Sequence, residues 1–233
     1  MHYNWKWSIL VEQPYLWWLL SGFIQTLLIS ICAWIAAFTL GSFVGILRQS
    51  PSALWRKVAA FYVSIFRNIP LLLQMFLWFY VLPEVLPQAA GDWLKRDLPQ
   101  PQIWTAMVCL GFYTSARIAE QVRSALLAIG TRQMNAALSI GMSRSEAFFH
   151  VLLPIVYRLQ MPTLTNEAIS IVKTSSVALT IGVFELTAQA HRIEEYTFQG
   201  IESFTAATLT YVALTTLVIA AMSMIERNYR VTL

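Results

Sequence analysis

The chain has 233 residues, 57% of them apolar and 13% aromatic against only 12% charged. A water-soluble fold of this size could not hide so much apolar surface, so composition points to a membrane protein. The net charge of +4 is modest; the distribution of basic residues among the loops accounts for it, and it gives no case for nucleic-acid binding.

Tyr15 to Leu47 is an uninterrupted uncharged run, well beyond the roughly 18 residues that flag a spanning helix. It predicts a first span at about 19–47. The run is also far longer than the roughly 7–15 residues of a signal-peptide core, with no small-residue cleavage site after it, so this helix is expected to stay. Gly41-x-x-x-Gly45 within it is a small-xxx-small pattern of the kind that packs helices. Cys32 here and Cys109 further on fall in apolar spans as packing residues.

A second span is predicted at about 58–82, and it carries Arg67-Asn68-Ile69-Pro70. An ionisable group at membrane depth costs about 2.5–3.5 kcal/mol on insertion scales and normally faces protein or water. Pro70 cannot donate to the carbonyl of Phe66, so backbone oxygens become available beside the Arg67 cation. A rise of 1.5 Å per residue from Val58 puts Arg67 roughly 14 Å into a core about 30 Å thick.

The third span, about 103–127, holds Arg117, Glu120 and Arg123 at intervals of three. That spacing places Glu120 between two cations on one helical face, either as a local ion pair that satisfies itself or as part of a polar path. Arg117 lies roughly 21 Å from the outer edge on the same count, in the same central region as Arg67.

Next comes a loop, about 128–154. Arg132 to Ile140 predicts a short amphipathic helix that needs a partner surface, and Ala136 and Ala137 are small enough to let another backbone approach. Gly141 suits a positive φ, Ser143 to Glu146 predicts a capping box, and Pro154 is expected to end the second helix.

A fourth span is predicted at about 162–183, with Pro162 in its first turn and Lys173 near the depth of Arg67 and Arg117. A start at Pro154 instead moves Lys173 to the outer edge. Ser203 to Ile225 is again uncharged and predicts the fifth span, about 203–225. The expected architecture is therefore all-α, one polytopic domain over 1–233 with five transmembrane helices.

Basic residues orient these spans. One side holds Arg48, Arg56, Lys57, Arg123, Arg132, Arg144, Arg158, Arg227 and Arg230, while the other holds only Lys6, Lys95, Arg96 and Arg192. The first side is expected to be cytoplasmic, which puts the amino terminus outside, the carboxyl terminus inside, and the 128–154 loop inside. No Gly-Lys pair occurs, so ATP binding through a phosphate-cradling loop is not expected of this chain. His2, His150 and His191 have no metal-ligand spacing, and no serine sits in a nucleophile-elbow pattern, so neither catalytic nor metal residues are expected.

Asn135-Ala136-Ala137, three residues, Gly141, nine residues and Val151-x-Leu153-Pro154 resemble the loop signature of the permease subunits of ATP-binding-cassette importers. Asn135 stands where that family has Glu, which removes a negative charge. Arg67-Asn68-Ile69-Pro70-Leu71-Leu72 and Ile171-Val172-Lys173-Thr174-Ser175-Ser176-Val177 resemble segments of the polar amino acid importers. Similarity to the glutamate/aspartate branch is carried by Ser30-Ile31-Cys32-Ala33-Trp34, Glu120-Gln121-Val122-Arg123 and Glu202-Ser203-Phe204-Thr205-Ala206.

The resemblance implies a type I importer permease fold in a bacterial inner membrane. It also implies an assembly of two permeases, the second a different but homologous chain, with two ATPase subunits that hold ATP and magnesium, fed by a periplasmic solute-binding protein. No cofactor is expected in this chain. ATPase docking is expected of Asn135, Ala136, Ala137, Gly141, Leu153 and Pro154, and the solute path of Arg67, Asn68, Arg117, Glu120, Lys173 and Ser175. Three central cations, Arg67, Arg117 and Lys173, against Glu120 suit an anionic amino acid. An ATP-independent secondary transporter, a permease for another polar amino acid and a non-transporting scaffold remain as alternatives, since intramembrane charges fit each of them.

Overall fold

The structure, a computed structural model, describes residues 3–229; His2 and Arg230 lie outside the described residues. Every regular element is helical. A 3-10 turn, Trp7–Val11, leads into α1 (Tyr15–Leu47), followed by α2 (Ala53–Asn68), α3 (Leu71–Phe76), a π-helical stretch Leu77–Val81, α4 (Leu82–Val85) and α5 (Gln88–Asp92). A second π-helical stretch, Trp93–Asp97, precedes α6 (Pro101–Ser139) and α7 (Arg144–Glu146). Then come a third, Ala147–Leu152, α8 (Leu153–Thr174), a 3-10 stretch Ser175–Ile181, α9 (Leu186–Thr197) and α10 (Gly200–Tyr229).

Among the described residues, α1 and the Gly200–Arg227 part of α10 are each long and apolar enough to cross a membrane. Ala53–Asn68 with Leu71–Val85, and Arg144–Ile181 with Leu186–Thr197, qualify only as broken pairs. Length does not exclude α6, which spans 39 residues but carries Arg117, Glu120 and Arg123.

Several boundaries differ from the sequence expectation for physical reasons. The short helix predicted over Arg132 to Ile140 is the continuation of α6, because Gly130 alone costs a helix interior only about 1 kcal/mol. Pro162 lies inside α8 rather than in its first turn, so the helix begins at Leu153, as in the alternative start at Pro154. Pro154 does not end a helix either. It is the second residue of α8, and the π-helical stretch before it shifts the hydrogen-bond register where the proline has no N–H to give. The predicted break at Arg67 to Pro70 is present: Ile69 and Pro70 are extended, and α2 ends at Asn68.

The chain forms two compact units. One comprises the chain up to Trp34, Pro70–Leu110 and Ser170–Leu217. Within it, Leu186, Ala190 and Ala207 form a buried cluster with Leu19 and Tyr211 against it. Gly22 permits close approach of α1 to α9, since a Cβ there would stand 2.9 Å from the Leu186 Cα. Buried Glu185 accepts the N–H groups of Thr187 and Ala188 (3.0 and 2.8 Å) and the Tyr211 hydroxyl (2.6 Å), capping the start of α9. Buried Glu202, in the first turn of α10, accepts from the Tyr3 hydroxyl and from the Lys6 N–H (2.8 Å).

The other unit comprises Ile35–Ile69, Gly111–Ile169 and the chain from Val218. Its core gathers Val44, Ala59, Val63 and Ala119. Here the Gly41 and Gly45 pair packs α1 onto α6: a Cβ at Gly41 would meet the Ser115 carbonyl at 2.7 Å, and one at Gly45 the Ala119 carbonyl at 2.8 Å. Backbone and β-branched neighbours cannot swing aside, so overpacking of about 1–3 kcal/mol is expected. Gly45→Val should lower the unfolding temperature of the detergent-solubilised protein, whereas Gly130→Ala, whose nearest neighbour would be a Leu152 methyl at 3.9 Å, should leave it unchanged. Equal shifts for both would show that the close approach carries no stability.

Candidate substrate cavity and coupling turn

The α2 break and the charged face of α6 meet in the second unit. Glu120 is the centre of the cluster: it accepts from Arg48 and from Arg123, whose Nε lies 3.0 Å away, and the Arg67 guanidinium stands 4.0 Å from it. Arg48, Arg67, Asn68 and Glu120, with Ala60, Val63 and Ser64, line a cavity of about 440 Å³. Three arginines converge on one carboxylate, so the site carries an excess of positive charge. Arg67 is the least committed of them, with the longest separation and a side chain 48% exposed against 18% for Arg48. Asn68 donates to the Ser64 hydroxyl at 3.4 Å, one turn back on the rim of the same cavity.

Arg117 does not join this cluster. Its Nε lies 3.1 Å from Glu167 on α8, and Gln121 donates to the same carboxylate at 2.8 Å. The expectation that Glu120 sits between Arg117 and Arg123 is therefore corrected, as is the count of one central acid, because Glu167 neutralises Arg117. Glu167 is the functional candidate that sequence reasoning missed. Its signal was present: two opposite ionisable groups in apolar segments are expected to find each other. Arg123 pairs with Glu120 as the spacing of three expected, and Arg48, counted only as a loop charge in the sequence, turns out to be its second partner.

Lys173 and Ser175 belong to the other unit. Lys173 is exposed in the last turn of α8, and Ser175 is buried with its hydroxyl donating to the Val172 carbonyl at 2.8 Å. With α8 starting at Leu153, the depth match that recruited Lys173 no longer holds.

The turn expected to dock the ATPase is built at the end of α6. The Gly141 N–H bonds the Leu138 carbonyl (3.0 Å) and the Met142 N–H the Ala137 carbonyl (3.2 Å), the paired bonds of a Schellman motif. Gly141 takes a φ of 89°, the left-handed value expected of it. Ser143 then opens α7 with a capping box, its hydroxyl accepting the Glu146 N–H and the Glu146 carboxylate accepting the Ser143 N–H at 2.8 Å. Ala137 is buried, whereas Asn135, Ala136 and Ile140 are exposed around the turn. Leu153 and Pro154 are half-buried at the start of α8. A Cβ on Gly141 would meet nothing within 4 Å. The glycine is therefore required by φ alone, and a larger side chain there meets backbone strain and no steric clash.

The family model described as the binding-protein-dependent transport system inner membrane component matches residues 37–231. The chain belongs to that family. The permease is 42% identical over 238 aligned positions to the glutamate/aspartate import permease GltJ of Escherichia coli K12, covering 99% of this chain and 97% of that one. Against the glutamine transport permease GlnP of the same organism it is 30% identical, over 91% and 93% of the two chains. Among solved structures, the permease matches an amino acid ABC transporter chain at a TM-score of 0.79 and 26% identity, over 98% of this chain and 100% of that one. A MetNI methionine ABC transporter chain shares the fold at a TM-score of 0.75 and 23% identity, over 94% and 100%. The protein is thus an inner-membrane permease subunit of an ATP-binding-cassette amino acid importer, with the type I fold, and it works with ATPase and binding-protein partners. The scaffold and secondary-carrier alternatives fall with that result.

Proposed function

We propose that this permease imports glutamate and aspartate, and that the cavity between Arg48, Arg67, Asn68 and Glu120 is a station on the solute's way. The surplus of guanidinium over carboxylate carries this reading: with Arg117 neutralised by Glu167, the remaining positive excess at Glu120 is available to an anionic side chain. Likeness to GltJ over nearly the whole chain supports the same solute class. Arg67 receives the side-chain carboxylate, and Glu120 offers the only negative charge among the lining residues to the solute ammonium.

The assembly contains two ATPase subunits, a second and different permease, and a periplasmic solute-binding protein. The amino terminus is periplasmic, the carboxyl terminus cytoplasmic, and five spans cross the membrane. ATP and magnesium sit on the ATPases, which dock on the turn from Asn135 through Gly141 toward Leu153 and Pro154. Tagged chain purified from its native membrane should bring down the ATPase and a second permease, with ATP hydrolysis stimulated by glutamate-loaded binding protein. Recovery of this chain as the sole permease species would refute the heteromeric part of the proposal.

A further inference from the structure

The first unit holds a cavity of about 490 Å³ that the transport reading does not use. Its walls are aromatic and aliphatic, with Trp78, Trp93, Trp104 and Leu82 among them, and its one ion pair is Lys95 with Glu84, 2.5 Å apart. Trp104 lies in the first turn of α6, so the cavity sits at a helix end, where indole rings occupy the boundary between hydrocarbon and headgroups. A second apolar cleft of about 250 Å³ lies along the same segment and shares Trp78 and Leu82 as walls. Two apolar clefts that share Trp78 and Leu82, with one cation and one anion paired on the exposed lining of the larger (side chains of Lys95 and Glu84 37% and 68% exposed), call for a ligand with two apolar chains and a zwitterionic head.

From this juxtaposition we infer that the Trp78–Trp104 cavity is a binding site for a zwitterionic phospholipid, phosphatidylethanolamine. Its phosphate replaces Glu84 as the partner of Lys95, and its ammonium replaces Lys95 as the partner of Glu84, so both protein charges stay paired when the lipid binds. An amino acid solute fits poorly, because the lining beyond the ion pair offers little polarity. An anionic lipid would leave its phosphate facing Glu84 uncompensated.

The test uses the intact importer complex reconstituted in nanodiscs of equal phosphatidylethanolamine and phosphatidylglycerol, then released into detergent for native mass spectrometry. Wild-type complex should retain phosphatidylethanolamine. Lys95→Glu should lower that retention about tenfold, as expected for loss of one charge-assisted bond. The double exchange Lys95→Glu with Glu84→Lys should restore it, because both charges are present again, and Arg96→Ala, a neighbouring charge outside the cavity, should not change it. Trp104→Ala should reduce it without altering the amount of assembled complex. Preferential retention of phosphatidylglycerol, no retained lipid, or a Lys95→Glu complex indistinguishable from wild type would each overturn the site. Loss of a protein partner in Trp104→Ala would overturn it as well, since the cavity would then be a protein interface. All these readouts are independent of which amino acid is transported.

Discussion

Replacing Gly141 by valine is expected to reduce binding-protein-dependent uptake by more than about tenfold while the permease still inserts and assembles. Gly141 has a φ of 89°, and a β-branched residue there incurs strain on the order of 1–3 kcal/mol. The strain is relieved by abandoning the Schellman turn, which re-aims the exposed Ala136 and Ile140 and frees the carbonyls of Ala137 and Leu138. No neighbour stands within 4 Å of an added Cβ, so size is not the cause. Gly141→Asn should therefore retain most uptake, because asparagine tolerates the left-handed region, and Gly141→Ala should fall between. Uptake and ATP hydrolysis measured together in proteoliposomes separate the outcomes: hydrolysis without uptake is expected for the valine variant. Normal uptake by Gly141→Val would remove the turn from coupling.

Arg67→Ala should cut glutamate uptake about 10- to 100-fold at saturating binding protein, the range expected for losing a bond between charged groups worth about 1.5–3 kcal/mol. Arg67 is chosen because it is 4.0 Å from Glu120, whereas Arg48 and Arg123 are bound to that carboxylate directly. Removing Glu120 itself would leave three guanidinium groups facing one another and would confuse folding with transport. Arg67→Lys should recover part of the loss, and basal ATP hydrolysis should persist because the coupling turn is untouched. Arg96→Ala, whose side chain is 79% exposed, provides the loop control. Unchanged uptake in Arg67→Ala would take this cavity out of the solute path.

Local chemistry made the coupling turn readable in advance. Gly141, Ser143 and Glu146 form bonds with residues at most five positions away, and each residue type has a backbone reason for its place. The Arg67 to Pro70 break was legible for the same reason. Contacts between distant segments were not. Arg48 meets Glu120 across 72 residues, and Gln121 and Arg117 meet Glu167 from another helix, so spacing along α6 alone gave Glu120 its partner Arg123 but wrongly added Arg117. Prolines misled in a second way. Pro154 and Pro162 look like helix boundaries by propensity, but the π-helical stretch Ala147–Leu152 runs directly into Pro154 at the start of α8, and Pro162 lies inside that helix. The polar α9 was missed because it is 12 residues long and too hydrophilic to stand out between two apolar runs.

The central claim is tested most directly by uptake of labelled glutamate into proteoliposomes holding the complete importer, with ATP sealed inside and the binding protein outside. Accumulation should require both ATP and the binding protein, should be suppressed by unlabelled aspartate, and should be unaffected by equal glutamine. Accumulation driven by an ion gradient without ATP, or suppression by glutamine as strong as that by aspartate, would contradict the account.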